Sequence, residues 1–263
     1  MYLSTLLINA GDHPDRPRPG RSWLRNVYRV HQRLCMAFPS GERKQADEDF
    51  LKPYKPEDFG YHQVHVPRIK DAGFLFRIDP IPGGRAIILV QSAVEPDWDF
   101  AFHNAMFLLS APPDIKPFDP QFSIGQKLLF RLTAKPTKKI DTKSGPDGKK
   151  RNGRRVPVRP ENFLEWLVQK SIRSGFSIMS DNIIIQTSYI FFHKPNTQQE
   201  NYLSEISPGK GDYQARLRLV RYDGVLTIDD INLFHLAIER GIGSGKAFGF
   251  GLLSLAQMQC GTL

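Results

Sequence analysis

The chain has 263 residues, 40% of them hydrophobic, and 36 lysines and arginines against 27 acidic residues give it a formal charge of +9. That length can bury one large core or two small ones, whereas its longest apolar runs, such as residues 86–90 and 183–185, are far too short to span a bilayer. Only two cysteines occur, Cys35 and Cys260, with no CxxC or Cys/His ligand spacing. These features argue against a membrane protein or a disulfide scaffold, and the expectation is a reduced, cytoplasmic protein without structural zinc.

The charge is unevenly spread. Residues 135–159 hold ten basic side chains against Asp141 and Asp147, a local excess of +8 that leaves the rest of the chain close to neutral. Such a concentration points to a polyanionic partner, although a long basic loop can also be merely solvated.

In chain order, the apolar run of residues 2–9 reads as a first, largely buried strand. After a loop with three prolines, Ser22 can cap a helix reaching about Phe38, because Val27, Val30, Leu34 and Phe38 recur at the spacing of one buried face. Tyr28 and His31, three residues apart, leave this helix on one side, at the border of that face. Residues 42–63 carry no clear pattern. Residues 73–78 and 85–92 flank the turn Pro80-Ile81-Pro82-Gly83-Gly84 and predict an antiparallel strand pair; residues 97–109 predict a helix, and proline-rich 111–120 a weak edge strand. The order is βαββαβ, the ferredoxin-like arrangement.

The same order then repeats. Leu128, Phe130, Leu132 and Ala134 alternate with polar partners along a strand over 127–134, and the basic loop follows it. A helix over 161–174, with Phe163, Trp166, Leu167 and Ile172 apolar, is stopped by Gly175. Residues 176–179 and 183–192 are strand-like, 194–212 form a polar insertion, and 214–219 alternate again. Asp223-Gly224 predicts a hairpin turn into a strand over 225–228, and Asp229 or Asp230 then caps a helix over 231–239. The fold class is therefore α+β, with tandem ferredoxin-like (RRM-like) βαββαβ domains, antiparallel sheets and domains at 1–124 and 125–263.

The final helix runs into Gly241-Ile242-Gly243-Ser244-Gly245-Lys246-Ala247-Phe248-Gly249-Phe250-Gly251 and then an apolar strand. Glycines let backbone N–H groups curl toward an anion, and Lys246 adds a point charge, so a phosphate cradle is chemically reasonable. The loop nevertheless lies between helix and strand, the reverse of the nucleotide-binding fingerprints, and glycines needed only for a tight connection explain it equally well.

This loop, together with the opening MYLSTLLI, the helical VYRVHQRL, and LLFRLTAKPTKK followed by RRVPV, resembles the CRISPR-associated RAMP proteins, specifically the CasE endoribonucleases of type I-E Cascade. The resemblance anchors both ends and the middle of the chain. It implies a metal-independent endoribonuclease that cuts CRISPR precursor RNA within each repeat, keeps the hairpin product and joins other Cascade subunits. CasE proteins carry Tyr-x-x-His on their first helix, and Tyr28-Arg29-Val30-His31 matches it.

A histidine can give or take a proton near neutral pH, and RNA supplies its own nucleophile in the 2′-hydroxyl, so one histidine suffices without metal. On this reading His31 is general acid or base and Tyr28 its positional partner. Arg29 and Arg33 are further cations on the helix. The resemblance places the basic segment on the RNA stem through Arg151, Arg154 and Arg155, with Lys135, Lys138 and Lys139 extending that surface. The segment's Gly145-Pro146-Asp147-Gly148 predicts a hairpin excursion. The alternative is a non-catalytic RNA-binding RAMP scaffold subunit, which would share the fold and basic patch but would not need Tyr28 and His31. An unrelated RRM-like protein is disfavoured because no RNP-type aromatic run occurs.

Overall fold

The structure, a computed structural model, describes residues 1–11, 19–39, 72–140, 154–194 and 213–258. The chain divides into two compact units. The first comprises Met1–Asp119, Tyr189–Leu217 and Ala247–Gly249, and the second Pro120–Ser188, Arg218–Lys246 and Phe250–Leu263.

The first unit is built on a four-stranded sheet from β1 (Tyr2–Asn9), β2 (Phe74–Ile81), β3 (Arg85–Ser92) and β4 (Asp114–Pro117), in the order β2-β3-β1-β4. Every neighbouring pair is antiparallel. Period-two alternation turns Ser4, Leu6 and Ile8 inward, so β1 is buried on one face rather than both. Proline-rich β4 lies at the sheet edge, as its composition predicts.

The helix expected from Ser22 to Phe38 is two helices, α1 (Pro19–Arg25) and α2 (Val27–Cys35). Asn26 separates them with φ −106° and ψ 86°, and its N–H bonds back to Trp23 O at 3.1 Å while its carbonyl receives Val30 N–H at 3.2 Å. A periodicity that continues across the break hid it, because α1 still buries Trp23 while α2 buries Val27, Val30 and Leu34. The helix expected over residues 97–109 is likewise divided, into α3 (Trp98–Phe102) and a 3-10 turn, Met106–Leu108; Asp97 caps α3 by accepting from Phe100 N at 2.9 Å. Leu6, Ile8, Trp23, Val30, Leu34, Phe76, Ile88, Trp98 and Phe102 form the core. Full burial of each large side chain contributes roughly 1.5–3 kcal/mol.

The second unit holds β5 (Lys127–Ala134), β6 (Thr137–Ile140), β7 (Arg154–Pro157), α4 (Phe163–Arg173), β8 (Phe176–Ile178), α5 (Ile231–Arg240) and β11 (Leu253–Gln257). Between these run β9 (Ile184–Lys194) and β10 (Tyr213–Ile228), whose residues are divided between the units. The sheet order is β11-β5-β10-β8, with β9 also paired to β10. Leu128, Phe130, Leu132 and Ala134 are buried as the alternation in β5 predicts. In α4 the expected core residue Ile172 is instead 66% exposed, and Ser171, bonding Val168 O at 2.9 Å, is buried.

The predicted turn at Asp223-Gly224 does not form: β10 runs through it, with Asp223 opposite Arg131 and Gly224 opposite Phe130. Arg131 Nε and Arg221 Nε donate to the two oxygens of Asp223 at 2.6 and 2.5 Å, which satisfies within the sheet the side chain expected to stabilise a turn. Gly224 is required there for space, since a Cβ would lie 2.5 Å from Ile183 Cδ1 and 2.9 Å from Asn182 O. Of the two candidate caps for α5, Asp230 acts, accepting from Leu233 N at 2.9 Å.

Candidate functional site

His31 and Tyr28 both lie on α2, half-buried at the rim of its apolar face. The inward stripe of Val27, Val30 and Leu34 fixes the helix rotation and brings the His31 imidazole over the aromatic pair of β2. It stacks on Phe76 at 6.2 Å between centroids and 15° between planes, and meets Phe74 at 5.4 Å and 32°. One turn along, Cys35 Sγ lies 3.6 Å from His31 Nε2. The ring is thus held by aromatic packing on one side and a soft polar contact at Nε2, with Nδ1 buried, an arrangement that fixes its orientation.

The two arginines of this helix part company. Arg33 is buried, and its Nη1 donates to Ala101 O at 2.9 Å and Asn104 Oδ1 at 2.8 Å, tying α2 to the segment around α3. It serves packing. Arg29 is exposed.

All five glycines of the C-terminal loop have positive φ: 70° at Gly241, 91° at Gly243, 84° at Gly245, 75° at Gly249 and 92° at Gly251. Close packing accompanies that geometry. A Cβ at Gly245 would stand 2.7 Å from Phe250 Cδ2, one at Gly251 2.9 Å from Ile242 O, and one at Gly249 3.2 Å from Phe76 Cε2, the ring on which His31 stacks. Lys246, in a 3-10 turn over Lys246–Phe248, is exposed. Ser244 joins the loop to the base of the basic segment by a bridge to Lys135 and a 3.2 Å contact between Oγ and Thr137 Oγ1.

The basic segment begins and ends as the expected hairpin excursion, the antiparallel ribbon of β6 and β7. Its register pairs Lys139 with Arg155, Lys138 with Val156 and Ile140 with Arg154. Cross-strand partners share a face and successive residues alternate, so Lys139 and Arg155 lie on one side and Lys138 on the other. Lys138, Lys139 and Arg155 are exposed, Lys135 is half-buried at the foot of the ribbon, and Arg151 lies outside the described residues. Among the described residues, no helix is long and apolar enough to cross a membrane.

Known proteins share this architecture over nearly the whole chain. The family described as CRISPR associated protein matches residues 1–257. The chain belongs to this family, in the Cse3/CasE group of type I-E Cascade. The CRISPR-associated endoribonuclease Cse3 of Thermus thermophilus is 29% identical over 266 residues, with 97% of this chain and 100% of that protein covered. The Cascade subunit CasE of Escherichia coli is 28% identical over 261 residues, covering 98% and 100%. A solved structure of Cse3 bound to a 19-nucleotide RNA superposes with a TM-score of 0.65 at 26% identity, over 97% of this chain and 100% of that one.

In this CRISPR-associated protein, two charged groups escaped the sequence reading. Lys170 and Arg173 stand on the last turn of α4, and Lys170 Nζ lies 5.8 Å from the centre of the Trp166 ring. Burial, reinforced by the charges of Arg173 and Arg155, pushes the Lys170 ammonium below its ordinary pKa. The other is Asp223: burial raises its pKa, but the hydrogen bonds and charges of Arg131 and Arg221 together outweigh that and hold the carboxyl below its usual range. No motif announces either group, since each depends on strand register bringing distant residues together.

Proposed function

We propose that the protein is an endoribonuclease that cuts CRISPR precursor RNA within the repeat, retains the hairpin product and acts in the cytoplasm as a subunit of Cascade. The observation that carries this reading is the match, along nearly the whole chain, to Cse3, an endoribonuclease solved with RNA bound. His31, oriented on the Phe74 and Phe76 rings beside Tyr28, supplies a group suited to the proton transfers. On this reading the two sheets are those of ferredoxin-like domains, 1–124 and 125–263, supported by the equivalent strand orders β2-β3-β1-β4 and β8-β10-β5-β11.

The RNA 2′-hydroxyl beside the scissile phosphate attacks phosphorus in line, and the bond to the departing 5′-oxygen breaks. The 2′-proton leaves and the 5′-oxygen gains one, giving a 2′,3′-cyclic phosphate and a 5′-hydroxyl. His31 moves one of these protons, as general acid or general base, and Tyr28 positions the phosphate by hydrogen bonding. Cationic side chains offset the charge that builds on the phosphorane, and Arg29 is the exposed candidate on α2. Solvent exchanges the other proton and the RNA supplies the nucleophile, so this reading calls on no metal or other cofactor. Lys135, Lys138, Lys139, Arg151, Arg154 and Arg155 hold the stem, with Lys246 adding a phosphate contact from the glycine loop.

The test is cleavage of end-labelled host repeat RNA in excess chelator by wild type and His31→Ala, with both product termini identified. Cutting at one site by wild type alone, leaving a cyclic phosphate and a 5′-hydroxyl, is expected. Equal cutting by both proteins would discard His31, and tight hairpin binding with no cutting by either would favour a scaffold subunit instead.

A further inference from the structure

The ribbon is not alone in carrying charge. Trp166 Nε1 donates to Thr137 O at 3.3 Å, which ties α4 to the first residue of β6. Lys170 lies over that same tryptophan, and Arg173 follows three residues later, on the same side of the helix. Thr137 pairs with Pro157, so the same tie brings the foot of β7, two residues from Arg155, to α4; the charge of Arg155 adds a small part to the lowering of the Lys170 pKa. Three cations from two elements therefore converge, and among the described residues none of them forms an ion pair with a carboxylate.

Two cations on the last turn of a helix are ordinarily explained by its dipole. That accounts for Lys170 and Arg173 but not for a third cation brought from β7, since like charges at this range oppose one another. Cations that the fold gathers at the neighbouring ends of α4 and β7 suit an anionic partner. Other basic side chains behave differently: Arg131 and Arg221 are neutralised by Asp223, and Arg77 by Asp79 at 2.7 Å.

We propose that Arg155, Lys170 and Arg173 form a phosphate-binding site that seats the RNA backbone against α4, beside the ribbon. The proposal rests on the RNA reading above and extends the contact surface from Arg155 of the basic segment onto Lys170 and Arg173 of α4. The ribbon face of Lys139 and Arg155 then continues onto the helix as one strip, with Lys138 on the opposite face free to meet a separate part of the RNA.

The experiment measures, by fluorescence anisotropy, the affinity of the full chain for its labelled repeat hairpin across a salt series. Each phosphate contact contributes somewhat less than one unit to the slope of log affinity against log salt. The double variant K170Q/R173Q is expected to flatten the slope by about 1–2 units. The charge-preserving K170R/R173K is expected to restore most of it, and matching thermal melts establish that both variants fold. A double variant that melts like wild type and keeps the wild-type slope would overturn the cluster while leaving the RNA reading intact. If wild type itself does not bind the hairpin, both fall together.

Discussion

Replacing Gly251 by alanine separates the packing role of the glycine-rich loop from any role in binding. At φ 92° an L-residue bears a backbone strain of roughly 1–2 kcal/mol. The new methyl would also lie 2.9 Å from Ile242 O, an atom with little freedom to retreat. Ile242 N donates to Gly251 O at 2.9 Å, and Gly251 N donates to Thr133 O on β5 at 2.8 Å, so relief requires stretching one of two backbone hydrogen bonds, at about 0.5–1.5 kcal/mol. The sum is about 1.5–3.5 kcal/mol. At about 2–4 °C per kcal/mol for a chain of this length, the melting temperature falls by roughly 5–10 °C for the middle of that range. Thermal and denaturant unfolding followed by circular dichroism measure it, with hairpin affinity determined well below the melt. Lys246→Ala, at an exposed side chain, is the control expected to leave stability unchanged. A Gly251→Ala protein within about 0.5 kcal/mol of wild type would refute the packing argument.

Further outcomes follow from the same geometry. Gly249→Ala presses on the Phe76 ring beneath His31, so the single-turnover cleavage rate is expected to fall at least tenfold with hairpin affinity nearly unchanged; equal losses in both would show that Gly249 contacts RNA instead. Arg33→Ala removes the donor to Ala101 O and Asn104 Oδ1 and is expected to destabilise by about 2–3 kcal/mol, measured by thermal and denaturant unfolding. Because the pKa of Asp223 is depressed on folding, its contribution is present above the unfolded-state pKa and lost as pH falls through the folded value. Asp223→Asn should therefore cost about 1 kcal/mol at neutral pH, partial exposure limiting the loss, and should flatten the acid limb of stability against pH; an unchanged acid limb would show that the pair with Arg131 and Arg221 contributes nothing.

Periodicity and composition alone determined a good deal here. The alternation in β5, the apolar stripe of α2, the edge character of β4 and an aspartate N-cap of α5, at Asp229 or Asp230, are local signals, written in residues that touch their neighbours along the chain. So is the Tyr28-to-His31 spacing that puts both side chains on one side of a helix. The antiparallel pairing at the two ends of the basic segment agrees with the expected excursion, while the turn expected at residues 145–148 lies outside the described residues.

Tertiary structure decided what local signals leave degenerate. Asp-Gly reads as a turn in isolation, but Arg131 on a neighbouring strand satisfies Asp223 and lets β10 continue. The stripe of α1 and α2 continues across the break at Asn26, because burial patterning does not record a single residue's φ and ψ. Arg29 and Arg33 look alike in sequence, yet only Arg33 reaches the carbonyl of Ala101 and the side chain of Asn104, on a segment far along the chain. The tie of Trp166 to Thr137, and the approach of Gly249 to the ring under His31, likewise depend on strand register and chain return. Contacts between residues far apart in the chain arise only once the sheets have formed, and it is these contacts that separate a structural charge from one still available to RNA.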